Sequence, residues 1–180
     1  MRIRLAVLLF SFSLSAAAHA QTHCGGDEID YFSCKITKSE KVISVCGNIA
    51  DGNLDNDSWL QYRFGKIGQL ELTYPTEKTE SLDLFEGIYF SKYGDVLLRL
   101  INNQTLYEVF LSERYETPKK TLQPSGGVTV TLSKTKTQTL KCQQVDLARY
   151  FSNFSQLAAS LETRTRQKNM LLRFYSQADK

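Results

Sequence analysis

Histidine is nearly missing from this chain: there are two in 180 residues, His19 and His23. A serine or cysteine nucleophile activated by an imidazole would have to use one of them. The sequence also lacks an HExxH pair and a GxSxG elbow. Gly65-Lys66-Ile67-Gly68 has neither the spacing nor the helix start of a phosphate cradle. There is no CxxC, which argues against a thioredoxin-like redox site. The four cysteines, Cys24, Cys34, Cys46 and Cys142, stand 10, 12 and 96 positions apart. Zinc sites usually pair their ligands at short spacing. These absences predict a protein that is not an enzyme of the nucleophile, redox or metal classes, with no metal and no cofactor.

Long apolar runs are missing too, with one exception. Residues 1–20 read MRIRLAVLLFSFSLSAAAHA. A basic start, a short apolar stretch and a small-x-small end form a secretory signal. The stretch falls short of the roughly 20 residues that span a bilayer. Cleavage is expected after Ala20, with no transmembrane segment left behind. The expected location is periplasmic or secreted. Losing Arg2 and Arg4 removes two of 22 bases and none of 19 acids, so the mature net charge is +1. That balance gives no argument for a nucleic-acid partner.

An even number of cysteines in an exported chain reads as two disulfides. Tyr31–Thr37 alternates, with Phe32, Cys34 and Ile36 on one face. Lys38 to Lys41 can turn, and Val42–Gly47 returns. This places Ile36 opposite Ile43 and Cys34 opposite Val45, on the core side. Cys46 then points the other way, and a disulfide needs converging Cβ vectors. Two pairings remain: 24–46 with 34–142, or 24–34 with 46–142. The first is preferred because it ties the first strand to the last.

The chain continues as further strand candidates. Leu60, Tyr62 and Phe64 alternate before a Gly-rich turn; Leu70, Leu72 and Tyr74 alternate on the return, and Pro75 stops them. Leu82–Phe90, Val96–Ile101, Leu106–Glu113, Val128–Leu132 and Gln138–Cys142 follow. The expected fold is mainly β: an antiparallel meander barrel or sandwich of about 8–9 strands over residues 21–143. After Cys142 the period changes. Leu147, Phe151, Phe154, Ala158 and Leu161 mark one stripe of an amphipathic helix. A second helical piece is expected over Arg164–Tyr175. Residues 144–180 are therefore read as a C-terminal helical tail. From Gln143 onward the chain holds six bases and three acids, a basic face suited to peripheral contact.

Two candidate contact regions follow. If Leu60, Tyr62 and Phe64 face inward, Trp59 and Arg63 share the outer face, where either is able to anchor a partner. The only enzyme route left uses paired carboxylates among Glu71, Asp83, Glu86 and Glu108, as in glycan hydrolases.

The segments CGG, YFSCKITKSEKVISVCGN, SWLQYRFGKIGQLELTYP, GGVTVTL and LKC resemble a group of small exported bacterial β-rich proteins with no established activity. The likeness covers about Cys24 to Cys142 and implies an envelope location. The plan of signal, small β domain and a disulfide to the last strand also resembles periplasmic lysozyme inhibitors. Those proteins insert a Ser-Gly loop and a Lys-bearing loop into an enzyme cleft. The resemblance points to Ser125, Gly126, Lys119 and Lys120 as contact residues. The tyrosine that follows the Ser-Gly element in that family is Val128 here. The resulting expectation is an exported, non-enzymatic binding module, inhibitor or immunity-type, acting on a protein or cell-wall partner. The alternative is an envelope component docked through its basic helical tail.

Overall fold

The computed structural model describes residues 21–113, 115–116, 121–133 and 135–178. The expected signal, 1–20, and the candidates Lys119 and Lys120 lie outside the described residues.

The first four strands form one antiparallel meander: β1 (Ile29–Lys35), β2 (Lys41–Gly47), β3 (Leu60–Lys66) and β4 (Gln69–Tyr74). The next three are β5 (Phe85–Phe90), β6 (Asp95–Asn102) and β7 (Thr105–Ser112). Among the described residues, two-residue strands β8 (Tyr115–Glu116) and β9 (Thr121–Leu122) pair only with each other. β10 (Ser125–Ser133) and β11 (Lys136–Lys141) complete a five-stranded antiparallel sheet in the order β11-β10-β7-β6-β5. One helix, α1 (Leu147–Ala178), ends the described chain.

Alternation decides which side of each strand meets the core. In β6, Val96, Leu98 and Leu100 are at most 1% exposed, while Asp95, Leu97, Arg99 and Ile101 face out. The two sheets join where β1 meets the end of β11. Ile36 bridges Cys142, the Thr37 N–H donates to the Lys141 carbonyl at 2.9 Å, and the Gln143 N–H donates to the Lys35 carbonyl at 2.8 Å. The Cys34–Cys142 disulfide crosses the same seam. Among the described residues β4 and β5 do not pair, so the fold is a two-sheet sandwich rather than a closed barrel.

The β1–β2 register differs from the expected one by two residues: Cys34 lies opposite Ile43 and Phe32 opposite Val45. The chain turns one residue earlier, with the Ile36 N–H donating to the Lys41 carbonyl. A shift of two preserves the faces, so Cys34 and Cys46 still point apart. They bond Cys142 and Cys24 respectively. A bulge between Asp30 and Phe32 lets two successive aromatics be buried. Phe32 stacks on Phe154, while the Tyr31 hydroxyl donates to the Ile49 carbonyl at 2.7 Å. Burial raises the Tyr31 phenol above its ordinary pKa, opposed by the Ile49 N–H, which donates to the phenol oxygen at 2.7 Å. The expected strand from Leu82 starts later: Ser81–Leu84 is a single 3-10 turn, and the Ser81 hydroxyl beneath it accepts the Leu60 N–H.

The helix is one continuous element where two pieces were expected. Asp146 caps it, accepting the Arg149 N–H at 3.1 Å. Tyr150, Phe154, Leu157, Ala158 and Leu161 belong to the same core as the sheets. Tyr150 and Leu157 widen the expected stripe, and Leu147 and Phe151 sit at its margin. At Gly87 of β5 the helix backbone approaches closely: a Cβ there would lie 2.2 Å from the Ala158 carbonyl oxygen. The first half of α1 is thus a wall of the domain. Among the described side chains, none beyond Leu161 is buried.

Candidate binding face

The outer face of the four-stranded sheet is not a free surface. Residues 21–28 run across it as a strap, fixed by the Cys24–Cys46 disulfide. Beneath the strap lie Ser33, Ser44, Gln61 and Arg63, all buried. The Arg63 guanidinium meets both oxygens of Glu28, with Nη2 donating to Oε1 at 2.9 Å. It also donates to the His23 carbonyl at 2.8 Å and to the Gln61 side chain at 2.7 Å. Gln61 donates in turn to the Pro75 carbonyl at 2.9 Å. The Arg63 hydrogen bond holds the Glu28 carboxyl down at a pKa of about 2; burial opposes this, and the Gly25 N–H and Lys78 reinforce it.

Arg63 was expected as an exposed anchor beside Trp59. It is 9% exposed instead, because the strap supplies its counter-ion. Trp59 is half-buried at the sheet margin, and Lys78 Nζ lies 3.8 Å from its ring centroid. Trp59, Lys78, Glu28 and Arg63 therefore form one chain of contacts. His23 is part of the strap: its N–H donates to Ser44, and its Nε2 lies 3.1 Å from the Gly65 carbonyl. Among the described residues one group of Cys, His and acids is close enough to share an ion, Cys24, Glu28 and Cys46. Its sulfurs are bonded to each other and its carboxylate to Arg63, so it has no thiolate to offer.

The outer face of the five-stranded sheet has a different character. Strand register sets its side chains in rows. One row is apolar over three strands, Ile88, Leu97 and Phe110, then passes through Gly127 to Lys141 at the β11 edge. The next is charged: Glu86, Arg99 and Glu108, then Thr129 and Thr139. Arg99 Nε donates to Glu108 at 2.8 Å and its Nη1 lies 3.7 Å from Glu86. Beyond it stand Ile101, 62% exposed, and Leu106. Phe90, 45% exposed, and Tyr93 at the β5–β6 turn, 55% exposed, border the apolar side. Between Phe90 and Thr139 lies a groove of about 450 Å³ with Leu97 and Phe110 in its lining.

Ser125 is exposed at one end of this groove. Gly126 is buried: a Cβ there would come within 3.0 Å of the Phe32 ring and 3.3 Å of Cys142 Sγ. The Ser-Gly pair is therefore inside β10, opposite Ser112 and Leu111, and is not a protruding loop. The carboxylates of the hydrolase alternative are each ion-paired: Glu71 to Lys41, Asp83 to Arg164, and Glu86 and Glu108 to one Arg99.

Sequence reasoning missed Phe90, Leu97 and Phe110 as surface residues. The signal was present: GIYF, VLLRLI and EVFL carry apolar residues in both phases of the alternation, more than one buried face uses.

The geometry defines a mainly β, doubly disulfide-linked sandwich with one packed helix. No protein-family model, no curated protein and no solved structure matches this chain.

Proposed function

We propose that this is an exported, non-enzymatic binding module, of the inhibitor or immunity type, whose contact surface is the outer face of the five-stranded sheet. One observation carries the reading. The N-terminal strap covers the middle of the other sheet's outer face, whose exposed apolar residues Ile67 and Leu70 lie at the β3–β4 hairpin, and both inner faces are filled by the core, whereas this face leaves Phe90, Tyr93 and Ile101 about half exposed or more. Exposed apolar patches of this kind mark interaction sites on soluble proteins. The two disulfides are typical of proteins that mature outside the cytoplasm, which supports a partner in the protein or cell-wall fraction of the envelope.

The test is capture from envelope extract by the wild type, by Phe90→Asp and by Lys136→Asp, all confirmed folded by near-UV circular dichroism. Phe90→Asp is expected to abolish capture, and Lys136→Asp to leave it intact. Equal capture by all three would refute this face as the contact surface. Turnover of a glycan panel abolished by Glu86→Gln or Glu108→Gln would overturn the non-enzymatic assignment.

A second reading has its own observation. The helix has 32 residues, about 48 Å at 1.5 Å per residue, and its described burial ends at Leu161. Its basic distal half is then a docking element for a larger assembly. Truncation after Gln167 that loses envelope association while the domain stays folded would favour this reading over the first.

A further inference from the structure

The groove beside Phe90 has a composition that protein-binding pockets seldom show. Six of its eleven lining residues carry a carboxylate or a hydroxyl: Asp95, Glu108, Ser112, Ser125, Thr129 and Thr139. The centre of a protein interface is depleted in Asp, Glu and Ser. Here they stand along both sides of a narrow apolar floor made by Leu97 and Phe110, with the ring of Phe90 as one wall. The lining includes residues of all five strands, β5 to β11. The trough therefore runs across the sheet for four interstrand spacings, about 19 Å, which suits a chain rather than a compact ligand.

The polar groups are held in place. Ser112 Oγ donates to Asp95 at 2.6 Å, Arg99 Nε donates to Glu108 at 2.8 Å, and the Thr129 and Thr139 hydroxyls lie 3.2 Å apart. A carboxylate has about four lone-pair sites, so the bond from Arg99 orients Glu108 without exhausting it. Oriented acceptors and hydroxyls around an aromatic ring match a polyhydroxylated ring. The C–H face of a sugar packs on the aromatic face, and its hydroxyls donate to carboxylates in charge-assisted bonds. The apolar Leu97 and Phe110 side chains in the lining are chemically suited to small apolar substituents, such as the methyl of an acetamido group.

We propose that this groove is a glycan subsite that takes a polysaccharide strand bearing acetamido sugars, with Phe90 as the stacking platform and Glu108 as the principal acceptor. The inference rests on the binding-face reading above and names its occupant as a sugar chain.

The experiment titrates the full, oxidised protein, isotopically labelled, with chitotetraose, and with cellotetraose as a comparable chain without acetamido groups. Saturable amide shifts are expected at Phe90, Leu97, Phe110, Ser125 and Thr129, with chitotetraose bound at least fivefold more tightly. Phe90→Ala is expected to weaken binding tenfold or more. Glu108→Gln, which keeps shape and removes charge, is expected to weaken it about fivefold. Both variants are checked for an unchanged urea midpoint, and the wild-type shift map stands even where a variant fails that check. Absence of saturable shifts, or shifts confined to another face, overturns the proposal. If the glycans fail while Phe90→Asp still abolishes capture of a protein from the envelope, the occupant is wrong and the binding face stands. If both fail, both readings fall.

Discussion

Replacing Glu28 by Gln tests whether the strap is held by charge. The side chains of Glu28 and Arg63 are 13% and 11% exposed, so screening by solvent is modest. The Glu28 carboxyl titrates near 2 against an ordinary 4.5. That difference is worth roughly 3 kcal/mol of folding stability at neutral pH. The remaining Arg63 acceptors, the His23 carbonyl and the Gln61 side chain, soften the loss, so about 2–3 kcal/mol is expected. Because the folded pKa is depressed, this stability is complete above the unfolded pKa and fades as pH falls toward the folded one. The wild-type-to-variant gap should therefore be full at neutral pH and shrink between about pH 5 and pH 2. Urea unfolding with disulfides intact reads it, followed by the fluorescence of the single Trp59, which shares Lys78 with Glu28. Replacing the pair together, Glu28→Leu with Arg63→Met, should lose less than Glu28→Gln, since no charge is left unpaired. A gap that is constant across pH, or missing at neutral pH, would refute the account of the strap.

Three further outcomes are expected. Replacing Cys34 and Cys142 by Ala opens a loop with a sequence separation of 108, against 22 for Cys24 and Cys46; chain entropy puts the losses at about 5 and about 3 kcal/mol, and equal urea midpoints for the two variants would contradict this. Gly87→Val drives a side chain into the Ala158 backbone and should destabilise by more than about 3 kcal/mol, with no rescue by a substitution at position 158, since the clash is with main chain; a neutral effect in thermal unfolding would show that the helix does not lie there. Deletion from Gln143 removes Tyr150, Phe154, Leu157 and Leu161 from the core and should abolish cooperative unfolding; a folded product would make the helix an appendage after all.

The strand plan was legible because alternation is a local signal. Its phase alone separated Cys34 from Cys46, and a register error of two residues left that separation untouched. Phase left two cysteine pairings open, and the preferred one, chosen because it ties the first strand to the last, is the one the structure has. What lay beyond local pattern was hidden. Nothing periodic in Gln21 to Glu28 announces a strap, so Arg63 read as exposed when its counter-ion was 35 residues away. The expected helix stripe was too narrow: it left out Leu157 and Tyr150, both buried, the latter with its hydroxyl donating to Asp30 at 3.2 Å. Ser125 and Gly126 were assigned to a loop by resemblance, while the backbone pairs them with β7. The groove was obscured by its own apolar floor, since Leu97 and Phe110 read as core until neighbouring strands showed which way they face.

The interleaved cross-links, first cysteine to third and second to fourth, impose an order on maturation. In a chain oxidised as it emerges from its N-terminal end, Cys24 meets Cys34 before Cys46 arrives, and Cys142 comes last. Oxidation in order of emergence would join the wrong neighbours. The native arrangement then requires either that Cys34 wait as a thiol until almost the whole polypeptide is out, or that an early bond be undone by thiol–disulfide exchange. Only the second route calls for a disulfide isomerase as well as an oxidant.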